Sequence, residues 1–137
     1  MRLVFDTNIY LAGLLKRGLA FDILDRVASP GSDFSLFTSK DIIEEIERQT
    51  ERFIKKEWVT RAGADIFFQG IFDTVRIVEP KEKIHIIKED PDDNKILECA
   101  VAGQTNLIIT MDKDLLRLKH FRNIPIIHPS TFKHYFR

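Results

Sequence analysis

Four carboxylates of this 137-residue chain have types and positions suited to chemistry: Asp6, Glu45, Asp93 and Asp112. Asp93 is the most informative. On a helical wheel at about 100° per residue with Ile96 at zero, Leu97 falls near 100°, Ala100 near 40° and Asp93 near 60°. Asp93 therefore points with the apolar face, whereas Asn94 (about 160°) and Glu98 (about 200°) point away from it. A carboxylate turned inward without a partner costs several kcal/mol, so it calls for a cation or a donor to receive it. The helix dipole favours any acid in a first turn. That accounts for Asp90 and Asp92 but not for the direction of Asp93.

Glu45 flanks an apolar stripe made by Ile42, Ile43 and Ile46, lying about 105° from its centre, with Glu44 about 155° away and facing solvent. Taken alone, a flanking glutamate is an ordinary surface residue. Asp6 closes the apolar run Arg2 to Phe5 and is followed by Thr7 and Asn8; Asp112 stands in Thr110-Met-Asp112. Either acid is also placed to cap the helix that follows it. Together, carboxylates converging without cysteine or paired histidine suit a hard cation with oxygen ligands, Mg²⁺ or Mn²⁺. Sites of that kind perform phosphoryl chemistry by activating water and neutralising charge on the leaving oxygen.

The elements that must position these acids alternate. Short apolar runs at 2–5, 34–37, 75–78, 107–110 and 124–127 predict strands. Between them, helical rhythm is expected at 8–15, at 21–27, from Thr38 (capping-box-like with Asp41) through Ile46, over 50–73 in two pieces, from Asp90-Pro91 to Gly103, and at 114–118. Such alternation implies an α/β fold with a mostly parallel sheet of about five strands and helices on both faces. In open sheets of this kind the ligand crevice lies beyond the carboxyl ends of the strands, where Asp6 and Asp112 both fall.

Four segments in order carry a resemblance: Leu-Val-Phe-Asp6-Thr7-Asn8, Ser39-Lys-Asp-Ile-Ile-Glu-Glu45, Asp90-Pro-Asp-Asp93-Asn-Lys-Ile-Leu, and Leu-Ile-Ile-Thr110-Met-Asp112-Lys-Asp114-Leu-Leu. The sequence resembles the PIN-domain family of metal-dependent ribonucleases, which includes VapC-type toxins of prokaryotic toxin–antitoxin systems. The resemblance implies a PIN-like three-layer sandwich and a four-acid metal centre of Asp6, Glu45, Asp93 and Asp112. It adds Asn8 and Thr110 as polar supports and Asp114 as an auxiliary acid. It further implies one or two Mg²⁺/Mn²⁺ ions, water attack on an RNA phosphodiester, a homodimer, and a cognate antitoxin if the chain is a toxin. PIN domains also serve in RNA processing and turnover.

Composition sets the outer bounds. With 44% hydrophobic and 31% charged residues, the chain is expected to be one globular domain over 1–137. The single cysteine, Cys99, allows no intrachain disulfide and fits a reducing, cytoplasmic setting; it reads as a small buried hydrophobe. No apolar run approaches the roughly 20 residues needed to cross a bilayer. The 21 Lys+Arg balance 21 Asp+Glu, so no global field advertises a polyanion partner. Charge is nonetheless uneven: from Lys113 to Arg137 six basic residues face one acid, Asp114. Lys113, Arg117, Lys119 and Arg122 are therefore candidates to guide RNA phosphates, against the plainer view that they are a solvated surface or meet an antitoxin. Phe53, Trp58, Phe67, Phe68 and Phe72 at helical spacing read first as core, and second as a base-stacking or dimer surface. The four histidines have no metal-ligand spacing.

Two other classes compete. A phosphoacceptor receiver domain needs an acid pair after its first strand and an Asp after its third; here Asp6 stands single and Val-Arg-Ile-Val-Glu-Pro supplies none. A non-catalytic RNA-binding or scaffold domain of the same fold is separated only by testing for metal-dependent cleavage. No glycine-rich phosphate loop is present, which disfavours NTPase and dehydrogenase readings.

Overall fold

A computed structural model describes residues 1–136. Strands β1 (Arg2–Phe5), β2 (Ser35–Thr38), β3 (Arg76–Ile77), β4 (Leu107–Ile109), β5 (His120–Phe121) and β6 (Ile124–Ile127) form one sheet in the order β3-β2-β1-β4-β6-β5. All pairings are parallel except that of β5 with β6. Leu3, Val4 and Phe5 of β1 and all three residues of β4 are buried, so both faces of the sheet centre are covered. This is why these strands read as continuous apolar runs rather than alternating ones.

The helices are α1 (Thr7–Leu15), α2 (Leu19–Ala28), α3 (Lys40–Lys55), α4 (Arg61–Phe72), α5 (Asp93–Ala102), α6 (Lys113–Leu118) and α7 (Pro129–Phe132), the last running into a 3-10 turn at Lys133–Tyr135. Helix α5 lies across β1, β2 and β4, and α2 packs on β2. Gly13 lets α1 approach α2 closely, since a Cβ there would stand 2.7 Å from Leu24 Cδ1. Phe132, wholly buried, meets Phe5 and Phe34 edge to face at 6.0 and 5.4 Å and so ties the C-terminal helix to the sheet.

Several expectations are corrected. The sheet has six strands, because Arg122 and Asn123 adopt positive φ and turn β5 back onto β6 as a tight hairpin. The third strand shrinks to two exposed residues at the sheet edge. Ser39, not Thr38, caps α3: its hydroxyl accepts from the Ile42 amide at 3.4 Å while Thr38 completes β2. Helix α5 starts at Asp93, two residues after Pro91, since residues 90–93 form a turn in which the Asp90 carbonyl accepts from the Asp93 amide at 3.0 Å.

Asn94 and Glu98 point away from the apolar face, as the wheel has them, yet they do not reach solvent. Both are buried, at 5% and 7% exposure. The cause is the chain between β3 and α5, which crosses that side of the helix and buries Ile84 and Ile87. Asn94 Oδ1 accepts from the Ile86 and Ile87 amides at 3.0 and 2.9 Å, and its Nδ2 donates to the Ile87 and Pro91 carbonyls. Glu98 Oε2 accepts from the Ile84 amide at 3.0 Å. A strap without regular structure thus finds its hydrogen-bond partners in the polar side chains of one helix.

Candidate metal centre

Each strand-terminal acid is fixed by backbone before it meets the others. The Asp6 amide donates to the Ile109 carbonyl at 2.9 Å, locking the end of β1 to β4. Asp6 stands at the N-cap position of α1, yet its side chain makes no cap bond there; its Oδ2 accepts from the Thr110 hydroxyl at 2.6 Å. Asp112 does cap α6: its Oδ1 accepts from the Asp114 and Leu115 amides at 2.7 and 3.4 Å, engaging one of its two oxygens. Asp93 opens α5 and is buried.

These placements bring three acids together. One carboxylate oxygen from each of Asp6, Asp93 and Asp112 lies within 4.8 Å of the others. Burial, aided by Asp112 and Asp90 and opposed by the Thr110 hydrogen bond, pushes the Asp6 carboxyl up to about 6. Burial, reinforced by Asp112 and Asp6, pushes Asp93 up to about 8. Like charges gathered in a poorly solvated place resist simultaneous ionisation unless a cation joins them. Asp93 Oδ2 and Asn8 Oδ1 are buried with no hydrogen-bond partner among the described residues. Both residues line one cleft of about 220 Å³. Unpartnered buried oxygens beside three crowded carboxylates fit a hard divalent cation that prefers oxygen donors and keeps some of its water.

Glu45 lines the same cleft but stands outside the trio. Its carboxylate takes an ion pair from Arg48 and accepts from Gln49 Nε2 at 3.0 Å. Glu44, as the wheel predicts, is exposed and pairs only loosely with Lys40 at 3.9 Å. Thr110 joins two acids, because its oxygen also accepts from the Asp112 amide at 2.9 Å. Asp114 sits in the first turn of α6, pairs with Arg117 at 3.4 Å and does not line the cleft. Sequence reasoning passed over Asp41, Arg48, Asp90, Asp92 and Lys95, which do line it. The one available signal was the density of acids in Asp90-Pro-Asp-Asp93, set aside as favourable helix-dipole placement.

None of the four basic tail candidates lines the cleft. Arg122 is held by both oxygens of Glu82 and lies over the Phe121 ring, whereas Lys113 and Lys119 are exposed. Arg137 lies outside the described residues. The aromatic group divides. Phe67, Phe68 and Phe72 pack against the core, while Trp58 is exposed and tilts against Phe53. Cys99 is buried, as expected.

The family model for the PIN domain matches residues 2–114. Among solved structures, the chain superimposes on a chain from the crystal structure of VapBC2 from Rickettsia felis bound to a DNA fragment from their promoter. The TM-score is 0.64 at 15% identity, covering 93% of this chain and 98% of that one, and this likeness concerns the fold. No curated protein gives a significant match. Among the described residues, no helix is long and apolar enough to cross a membrane.

Proposed function

The chain belongs to the PIN-domain family, a family of nucleases, and from that premise we propose that it is a Mg²⁺- or Mn²⁺-dependent endoribonuclease of the cytoplasm, hydrolysing RNA phosphodiester bonds as the toxin of a toxin–antitoxin pair. The observation that carries this function is the convergence of Asp6, Asp93 and Asp112 within 4.8 Å at the carboxyl ends of β1 and β4 and the start of α5. The VapBC2 likeness supports the toxin assignment with an antitoxin as partner; a homodimer of single-domain chains is the working form proposed with it.

Asp6, Asp93 and Asp112 would hold the cation, with Glu45 as the fourth acid of the set. When bound, the metal supplies activation of water and neutralisation of the charge that develops on the phosphate and leaving oxygens. The chain's own residues do the rest. Thr110 keeps Asp6 and the Asp112 backbone in one register, and the α6 cap holds Asp112 from turning away. Asn8, which lines the cleft, keeps a buried amide oxygen without a hydrogen-bond partner beside the acids. Burial beside Asp112, Asp6 and Asp90 pushes Asp93 up to about 8, so a cation held by these acids would favour its ionised form.

The test is incubation of the purified chain with single-stranded RNA and Mn²⁺, with EDTA and Asp93→Asn as controls. Cleavage that requires metal and Asp93 is expected. A folded wild-type protein that binds Mn²⁺ and cuts no RNA overturns the assignment.

A further inference from the structure

A cleft that must admit a polyanion is lined here by seven acids, Asp6, Asp41, Glu45, Asp90, Asp92, Asp93 and Asp112. A bound divalent ion offsets only part of that charge. The cations in its walls are Arg48 from α3 and Lys95 from α5, helices that adjoin each other. None of the basic-tail candidates Lys113, Arg117, Lys119 and Arg122 lines it.

Arg48 and Lys95 belong to a row of alternating charge. Arg48 pairs with Glu45, Lys95 pairs with Asp92 at 3.3 Å, and Asp92 acts electrostatically on Arg48 as well. Ion pairs one helical turn apart at a surface are weak and easily exchanged. A guanidinium gains more from a phosphate, which it grips through two parallel hydrogen bonds. The exchange also releases Glu45, the acid that the trio lacks, from Arg48, so that only Gln49 Nε2 at 3.0 Å still holds it back from the cation.

We infer that Arg48 and Lys95 form the phosphate-holding subsite of this cleft, gripping the RNA backbone beside the metal centre, with Arg48 exchanging the Glu45 carboxylate for a substrate phosphate. The subsite rests on the ribonuclease function proposed above and deepens it. It moves substrate recognition from the basic tail to the facing walls of α3 and α5.

The experiment measures binding of a single-stranded oligoribonucleotide across a salt series, with Ca²⁺ in place of Mg²⁺, for wild type, Arg48→Ala, Arg48→Lys, Lys95→Ala and a Lys113→Ala/Lys119→Ala double variant. Calorimetric Mn²⁺ titrations and thermal melts run alongside. Arg48→Ala is expected to weaken RNA binding about tenfold and to reduce the salt slope by about 0.7, the contribution of one single-strand phosphate contact. Its Mn²⁺ affinity is expected to match or exceed that of wild type, since Glu45 is released. Arg48→Lys should recover part of the binding, and Lys95→Ala should reduce the slope like Arg48→Ala. An unchanged slope in the Arg48 and Lys95 variants, a slope loss confined to the tail variant, or a joint loss of Mn²⁺ and RNA binding in Arg48→Ala overturns the subsite. Failure of wild type to cleave RNA instead overturns the nuclease assignment, which the binding measurements do not touch.

Discussion

Thr110 and Asp6, 104 positions apart in sequence, are joined by a 2.6 Å hydrogen bond from the threonine hydroxyl to Asp6 Oδ2. The same hydroxyl oxygen accepts from the Asp112 amide. One buried side chain on β4's exit therefore sets the relative position of two acids that come from different strands. Thr110→Val keeps the shape and removes both bonds. Partners of this kind behind metal ligands are worth about 10–100-fold in metal affinity. Mn²⁺ affinity should fall by that order in Thr110→Val and be retained in Thr110→Ser. Equal affinities in all three proteins would remove Thr110 from the centre.

Asp93→Asn removes the carboxylate that the fold accommodates least comfortably. Its burial among Asp6, Asp90 and Asp112 disfavours the ionised form. The metal-free variant should melt at the wild-type temperature or above it at pH 8, while Mn²⁺ no longer raises its melting temperature. RNA cleavage should be lost. A variant that melts lower than wild type without metal would mean that Asp93 stabilises the fold and is not held there for a cation.

The same shifts give the metal-free protein a pH dependence of defined sign. In the unfolded chain Asp6 and Asp93 titrate near 3.8; in the fold burial raises them to about 6 and about 8. The folded state therefore holds the protons more tightly. Its stabilisation is complete below pH 3.8 and drains away as pH rises through 6 and then 8. Urea unfolding in EDTA should show the wild type losing on the order of a few kcal/mol relative to Asp93→Asn between pH 5 and pH 8.5. Mn²⁺ should restore the loss at the upper end. Parallel pH profiles for the two proteins would exclude the coupling.

Much of this architecture is legible in the residues, and the exceptions have physical causes. Asp93 is legible because a carboxylate phased with Ile96, Leu97 and Ala100 has few explanations. Asp6 and Asp112 are legible because strand-terminal acids collect in one crevice. The burial of Asn94 and Glu98 is not legible, because a helical wheel registers apolar covering only. The strap that buries them presents backbone amides, and backbone amides leave no mark in a hydropathy pattern. The β5–β6 hairpin was missed because His120-Phe121 is too short for a strand period, and its turn is built on Arg122 and Asn123 without the usual glycine. Arg48 was missed because a cation three residues from a glutamate on a helix reads as an ordinary surface pair.

Glu44 and Glu45 offer a test within a single turn of α3. Glu45 lines the cleft while Glu44 faces solvent beside Lys40. Glu45→Gln should weaken Mn²⁺ binding about tenfold or more and reduce cleavage by a factor of 10² or more. Glu44→Gln should leave both within about twofold, as expected for a weak exposed pair. Both substitutions keep size and helix propensity, so calorimetry and initial rates compare directly. The reverse ranking would mean that α3 is rotated relative to the centre.

Asn94 anchors the strap that leads into the acidic turn, and its removal should be expensive. Asn94→Ala strips partners from the Ile86 and Ile87 amides and from the Ile87 and Pro91 carbonyls. The Ile86 amide is only part-buried and can turn to water more readily than the buried Ile87 backbone groups. Leaving buried polar groups unpaired costs about 1–3 kcal/mol each, so a total near 2–4 kcal/mol is expected in urea unfolding. Glu98→Gln keeps an acceptor for the Ile84 amide and should cost less than about 1 kcal/mol. The strap also sets where Asp90 and Asp93 stand, since the Pro91 carbonyl bonded to Asn94 lies between them. Asn94→Ala should therefore lower Mn²⁺ affinity as well, at a temperature where the variant is still folded, and Glu98→Gln should not. Stability within about 0.5 kcal/mol of wild type for Asn94→Ala would show that α5 does not hold the strap.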